Sequence, residues 1–238
     1  MLWEFVARVV VDNPLFFSSL GDIARRAATL WASGELQTHI RISFAEFSGG
    51  YLLAVSLGIL GGVFLAASST ARGFFDPWVA MLYATPILAL GPLFILWMGI
   101  GVAASKIAVI FLTAVFPILI NTQVGLTTTD RTLLDVARSL GASSCQIYLK
   151  VRMPSALPYI IAGLRLSVAR ALVGVVVAEL FGARAGLGFM IQSAAQTFDT
   201  AAVFVGVLIL AGTGVACVTV LKWLEEALAP WRFQNSAE

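Results

Sequence analysis

Charge is scarce in this 238-residue chain: Asp, Glu, Lys and Arg together make up 12% of it, against about a quarter of an ordinary soluble domain. With 59% hydrophobic residues and a mean hydropathy of +0.93, that shortage points away from a soluble domain and towards a membrane protein. Cysteine is almost missing. Cys145 falls in a polar stretch and Cys217 in an apolar run, which argues against a disulfide framework. The single histidine, His39, has no cysteine or second histidine nearby, so no metal centre is expected. Fifteen Lys and Arg against thirteen Asp and Glu leave a net charge of +2. The basic residues are scattered, without the stripe that a nucleic-acid surface needs. The glycines of GARAGLGFM lack the Gly-Lys-Ser/Thr ending of a phosphate loop, so ATP is expected to bind elsewhere. The opening MLWEFVARVVVDNP, interrupted by Glu4 and Arg8 and lacking a small-residue cleavage site, is a poor signal peptide.

Long uncharged runs are what the chain has instead. Only a helix or a closed barrel satisfies every backbone amide within hydrocarbon, and a helix needs about 20 apolar residues to cross. The pattern predicts an all-α polytopic membrane protein with about five spans: Phe47 to Ser68, Pro77 to Ser105, Ile107 to about Thr122, about Leu166 to Ala183, and Thr200 to Leu221. Pro86 and Pro92 predict a bend in the second span. Before the first span, Asp22 to Phe47 is amphipathic: Leu36, Ile40, Phe44 and Phe47 recur at helical spacing with His39, Arg41 and Glu46 between them. A surface-lying helix is expected there. Residues 1–46 are thus read as a tail and interfacial helix, 47–228 as the membrane domain with a polar loop at 127–165, and 229–238 as a C-terminal tail.

That loop carries Asp130, Arg131, Asp135, Arg138, Lys150, Arg152 and Arg165. The bias of Lys and Arg towards the cytoplasm places it inside. Alternation then puts Arg72, Lys222 and Arg232 inside, and Lys106, Arg184 and the N-terminus outside. The last placement conflicts with Arg8, Arg25, Arg26 and Arg41, four basic residues on a tail that would have to cross. Residues 1–11 are too short to supply an extra span that would remove the conflict.

Within the loop the chain reads TLLDVARSLGASSCQIYLKVRMPSALPYIIAGLRL. Apolar residues at helical spacing from Leu133 to Leu140, followed by Gly141, predict a short amphipathic helix ended by glycine. A second helix over Ser144 to Arg152 is expected to stop at Pro154 and Pro158. An exposed apolar stripe either docks on another protein or packs back on its own spans, and periodicity leaves both open.

The same residues resemble the EAA loop of ABC importer permeases, in which Glu-Ala-Ala, three residues, Gly and nine residues precede Ile-x-Leu-Pro. Here Asp135-Val136-Ala137 is followed by three residues and Gly141, then by nine residues and Val151-Arg152-Met153-Pro154. Asp replaces Glu, Val the first Ala, Val the Ile and Met the Leu. The resemblance runs from about Asn13 to Leu228 through LWASGELQTHI, TPILALGPLFILWMGIG, FPILINT, GVVVAEL, GLGFMI and AAQTFDTA. It is nearest to the nitrate, sulfonate and taurine branch, whose members often carry one more span before the equivalent of Asn13.

The resemblance implies a type I importer permease fold and a multi-pass place in the bacterial inner membrane. It implies a second permease copy, two ABC ATPase subunits carrying ATP and Mg, and an extracytoplasmic solute-binding protein. It further implies alternating access for a small anion such as nitrate, taurine or an alkanesulfonate. ATPase docking would fall to Asp135 (a charge or cap), Val136, Ala137, Gly141, Ala142, Val151 and Pro154, with Arg138 as a salt-bridge partner. Pathway candidates follow from polarity inside the spans: Glu179 and Arg170 in the fourth, Thr85 beside Pro86, and Asn121 and Gln123 at the end of the third. Two other classes are weighed. An autonomous channel or ion-driven carrier would leave the docking motif unexplained, and an intramembrane enzyme using Glu179, Asp199 or Ser193 has no supporting motif.

Overall fold

The computed structural model describes residues 2–5, 17–99 and 101–229, and every regular element among them is helical. Arg8, Arg232 and most of the expected C-terminal tail lie outside the described residues. The helices are α1 (Leu2–Phe5), α2 (Leu20–Ala32), α3 (Glu35–Ala67), α4 (Ser69–Ala84), α5 (Gly91–Met98), α6 (Ala103–Thr127), α7 (Arg131–Ser139), α8 (Ser144–Ile147), α9 (Met153–Gly182), α10 (Leu187–Gln196) and α11 (Thr200–Leu228). A 3-10 turn, Ile87–Leu90, precedes α5, and a π turn, Tyr148–Arg152, joins α8 to α9.

The five expected hydrophobic segments are present, four of them as continuous helices long and apolar enough to cross a bilayer: Glu35–Ala67, Ala103–Thr127, Ser144–Phe181 and Thr200–Leu228. The segment expected as one bent span over Pro77 to Ser105 is instead divided. Thr85, ahead of Pro86, is extended (φ −69°, ψ 134°) and ends α4, as the steric conflict between a proline ring and a helical predecessor requires. Pro92 stands in the first turn of α5, where its missing N–H costs nothing.

The amphipathic stretch expected as one helix over Asp22 to Phe47 is also divided. Ser19 caps α2, its hydroxyl oxygen accepting the Asp22 N–H. The chain turns at Gly34 (φ +80°), and residues from Glu35 onward continue without interruption into the first long helix. A third difference lies in the loop, where the helix expected to stop at Pro154 continues. The Met153 N–H reaches the Tyr148 carbonyl in a π turn, and Pro154 becomes the second residue of α9. Its missing donor is absorbed by that wider turn.

Contacts divide the chain into two compact units. In the first (Met1–Gly50, Leu88–Ile110 and Leu172–Val215), α2 buries Ile23 and Leu30 against Leu36 of α3, Leu187, Met190 and Ala194 of α10, and Ala202 and Val205 of α11. Gly206 lets α11 approach Ile191 of α10; a Cβ there would lie 2.6 Å from the isoleucine side chain.

In the second unit (Tyr51–Ile87, Phe111–Ala171 and Ala216–Glu238), close approach is bought with glycine. Gly58 and Gly62 of α3 lie on Ile118 and Thr122 of α6, so the two helices run parallel there. A Cβ on Gly62 would stand 2.5 Å from Thr122 Cβ and 2.7 Å from the Leu119 carbonyl. This is the small-residue packing by which membrane helices associate without a hydrophobic driving force. Gly125 and Gly163 do the same between α6 and α9, against Tyr159 and Asn121.

Candidate functional site

The loop after α6 is held by local hydrogen bonds. Asp130, not Asp135, is the N-cap of α7: its carboxylate accepts the Thr132 N–H at 2.8 Å. At the other end Gly141 adopts φ +77°. Its N–H donates to the Arg138 carbonyl and the Ala142 N–H to the Ala137 carbonyl, the paired bonds of a Schellman stop. Ser143 and Gln146 then form a capping box that starts α8.

The nine-residue α7 buries Leu134 but leaves Leu133, Val136 and its C-cap residue Leu140 exposed at 51%, 54% and 82%. Spaced i, i+3, i+7, they form one apolar stripe. Asp135 and Arg138 pair at 2.9 Å on the outside of α7 with both side chains mostly exposed, so Asp135 supplies a charge and not a cap. Ala137 and Ala142 are half-buried and serve the Schellman stop through their backbones. Val151 lies in the π turn, half-buried, and Pro154 opens α9.

The pathway candidates have separate local partners. In the second unit, Arg170 donates to the Tyr83 hydroxyl at 2.9 Å and stacks 4.8 Å above its ring. Thr85 hydrogen-bonds back to the Met81 carbonyl, Asn121 donates to the Pro117 carbonyl, and Gln123 donates to Asp76 at 2.9 Å. Asp199 of the first unit binds Arg26 at 2.7 Å and accepts the Ala202 N–H at the start of α11.

Glu179, in the first unit, is different. It is fully buried, with Oε1 accepting the Ser43 hydroxyl at 2.6 Å and Oε2 the Gly188 N–H at 2.6 Å. The Ser43 oxygen in turn accepts the Leu187 N–H at 2.7 Å, and His39 Nδ1 accepts the Gly186 N–H at 2.9 Å. The start of α10 therefore places one amide on the carboxyl, that of Gly188, and two on its neighbours, Leu187 on Ser43 and Gly186 on His39. Gly186 (φ +133°) leaves no room for anything larger, since a Cβ would lie 2.4 Å from Glu179 Cδ. Beside this cluster Lys106 of α6 is ion-paired with Glu46 of α3, both side chains 6% exposed.

His39, Ser43 and Glu46 lie outside the site expected from the sequence, in which His39 and Glu46 fall between the apolar residues of an amphipathic helix. The spacing 39, 43, 46 is one helix face, which was the available signal. The structure turns that face inward, while Phe44, expected on the buried side, is 59% exposed.

Comparison with known proteins places these features in a family. Residues 54–234 match the family described as binding-protein-dependent transport system inner membrane component. The chain is 38% identical over its whole length, and over 85% of the relative, to "Putative aliphatic sulfonates transport permease protein SsuC" of Bacillus subtilis (strain 168). It is 32% identical to the taurine transport system permease protein TauC of Escherichia coli (strain K12), covering 97% of this chain and 85% of that one. Among solved structures, the inward-facing MetNI methionine ABC transporter aligns with a TM-score of 0.60 at 19% identity, over 82% of this chain and 98% of that one. An amino acid ABC transporter solved with histidines aligns at 0.62 and 16%, over 86% and 96%; both show the shared fold. This chain belongs to the family of inner-membrane permease components of binding-protein-dependent ABC importers.

Proposed function

We propose that this chain is one of two permease copies in an ATP-driven importer of small sulfonate-type anions, and that α7 is where an ATPase subunit docks from the cytoplasmic side. ATP and Mg are held by two ATPase partners, and a solute-binding protein delivers the anion on the outer side. ATPase closure on ATP moves α7 as a rigid body, and the spans rock between outward and inward access.

The observation that carries this reading is the stripe of Leu133, Val136 and Leu140 on a short helix stopped at both ends by its own caps. A rigid, amphipathic helix with its apolar residues in water has the form of an anchor for a hydrophobic groove. The sulfonate class rests on the named transport roles of the relatives.

The test is co-purification of the full chain with its ATPase partner. Val136→Asp and Leu140→Asp replace exposed side chains, so the permease should fold and melt as the wild type does while losing ATPase association. Undiminished association in both variants would sink the docking assignment.

A further inference from the structure

The buried cluster around Glu179 contains more negative than positive charge. From α3 it receives His39, Ser43 and Glu46, from α6 Lys106, and from the end of α9 Glu179 itself. α10 contributes backbone N–H groups and no charged side chain. Lys106 is spent on Glu46 Oε1. His39 accepts through Nδ1, so its proton is on Nε2, which points to the exposed Glu35 at 3.7 Å; the ring is neutral and adds no second cation. Arg184, in the turn, is exposed. Two carboxyl groups therefore share one lysine.

The second observation is an orphan. Glu46 Oε2 is buried and has no hydrogen-bond partner, and Glu46 stands one helical turn along α3 from Ser43, which binds Glu179. Two carboxylates only accept, and neither satisfies the other. The Ser43 hydroxyl is no remedy, because its one proton goes to Glu179 while its oxygen accepts from Leu187. One added proton resolves both the charge and the orphan: it makes one carboxyl a donor to the other and leaves one negative charge against Lys106.

We propose that Glu46 and Glu179 form a proton-binding site, in which a single proton is held between the two carboxyl groups and fastens the α9–α10 turn to α3 and α6. Each Glu179 oxygen keeps its present donor, Ser43 or Gly188, because a protonated carboxyl retains acceptor capacity. The site differs from a structural ion pair in its stoichiometry of two acids, one base and one proton.

Infrared spectroscopy of the full chain in lipid vesicles at neutral pH tests this through the carbonyl stretch of a protonated carboxyl, identified by its downshift in D2O. The wild type should show one such band. Glu179→Gln and Glu46→Gln should each abolish it, the first by supplying an amide donor in place of the acid, the second by leaving one carboxylate to one lysine. Glu225→Gln, on the separate Arg165 pair, should leave it intact. If Glu179→Gln fails to fold, Glu46→Gln alone decides. Absence of the band from the wild type, its survival in both folded variants, or its loss whenever sodium replaces choline in the buffer would overturn the proposal, the last in favour of a bound metal cation.

Discussion

Replacing Gly62 by alanine isolates the contribution of close helix approach in the second unit. The new methyl carbon would stand 2.5 Å from Thr122 Cβ and 2.7 Å from the Leu119 carbonyl oxygen, positions on or next to the α6 backbone that no side-chain rotation can move aside. α3 and α6 must separate, and overpacking of this kind costs about 1–3 kcal/mol. Alanine also favours a helix interior over glycine by about 1 kcal/mol, so the raw loss understates the clash. Gly73 supplies the reference: it lies inside α4, is exposed, and a Cβ there meets nothing within 4 Å. Gly73→Ala should gain the propensity alone. The difference between the two variants is then the overpacking cost, roughly 2–12 °C in melting temperature at about 2–4 °C per kcal/mol. Gly61→Ala should fall between them, because its nearest neighbour is the flexible end of Leu119 at 3.1 Å. Melting of the purified chains in detergent measures all three. A Gly62→Ala protein as stable as Gly73→Ala would refute the reasoning.

Two further substitutions probe smaller terms. Asp130→Ala removes the α7 cap and should cost about 1 kcal/mol, read as faster amide exchange confined to the first turn of α7, with global melting little changed. Arg26→Ala breaks the pair with Asp199, whose side chains are 38% and 27% exposed. Solvent screening limits such a pair to about 1 kcal/mol or less, so a melting shift above a few degrees would mean that this ion pair contributes more than the screened value.

The loop was legible in the sequence because its structure is local. Gly141 had to follow the last apolar residue of a short helix, and it does so with positive φ. The resemblance offers Asp135 as a charge or a cap; the Asx geometry belongs to Asp130, one residue before the helix, and Asp135 keeps the charge. Pro154 was expected to end a helix; a π turn is a backbone choice with no residue signature of its own, and it let the helix continue. The least legible feature was the buried cluster. Ser43 and Glu179 are 136 residues apart, and His39 and Gly186 are 147 apart. Taken alone, His39 and Glu46 read as the wet side of an amphipathic helix. Only the arrival of Glu179, Lys106 and the amides of Gly186, Leu187 and Gly188 makes that side the buried one, and no local periodicity encodes it.

The central claim is that energy enters this permease through the apolar face of α7. Proteoliposomes holding the permease with the proposed ATPase and solute-binding protein, assayed for uptake of labelled taurine, test it most directly. Transferring a fully exposed Leu or Val side chain into an apolar groove contributes about 1.5–3 kcal/mol, so placing a charge at Leu140 should weaken docking by at least tenfold at about 1.4 kcal/mol per decade. The account predicts ATP-dependent uptake by the wild type, and loss of both uptake and ATPase association in a normally folded Leu140→Asp protein. Uptake that persists in Leu140→Asp and Val136→Asp, or that proceeds without any ATPase, would contradict it.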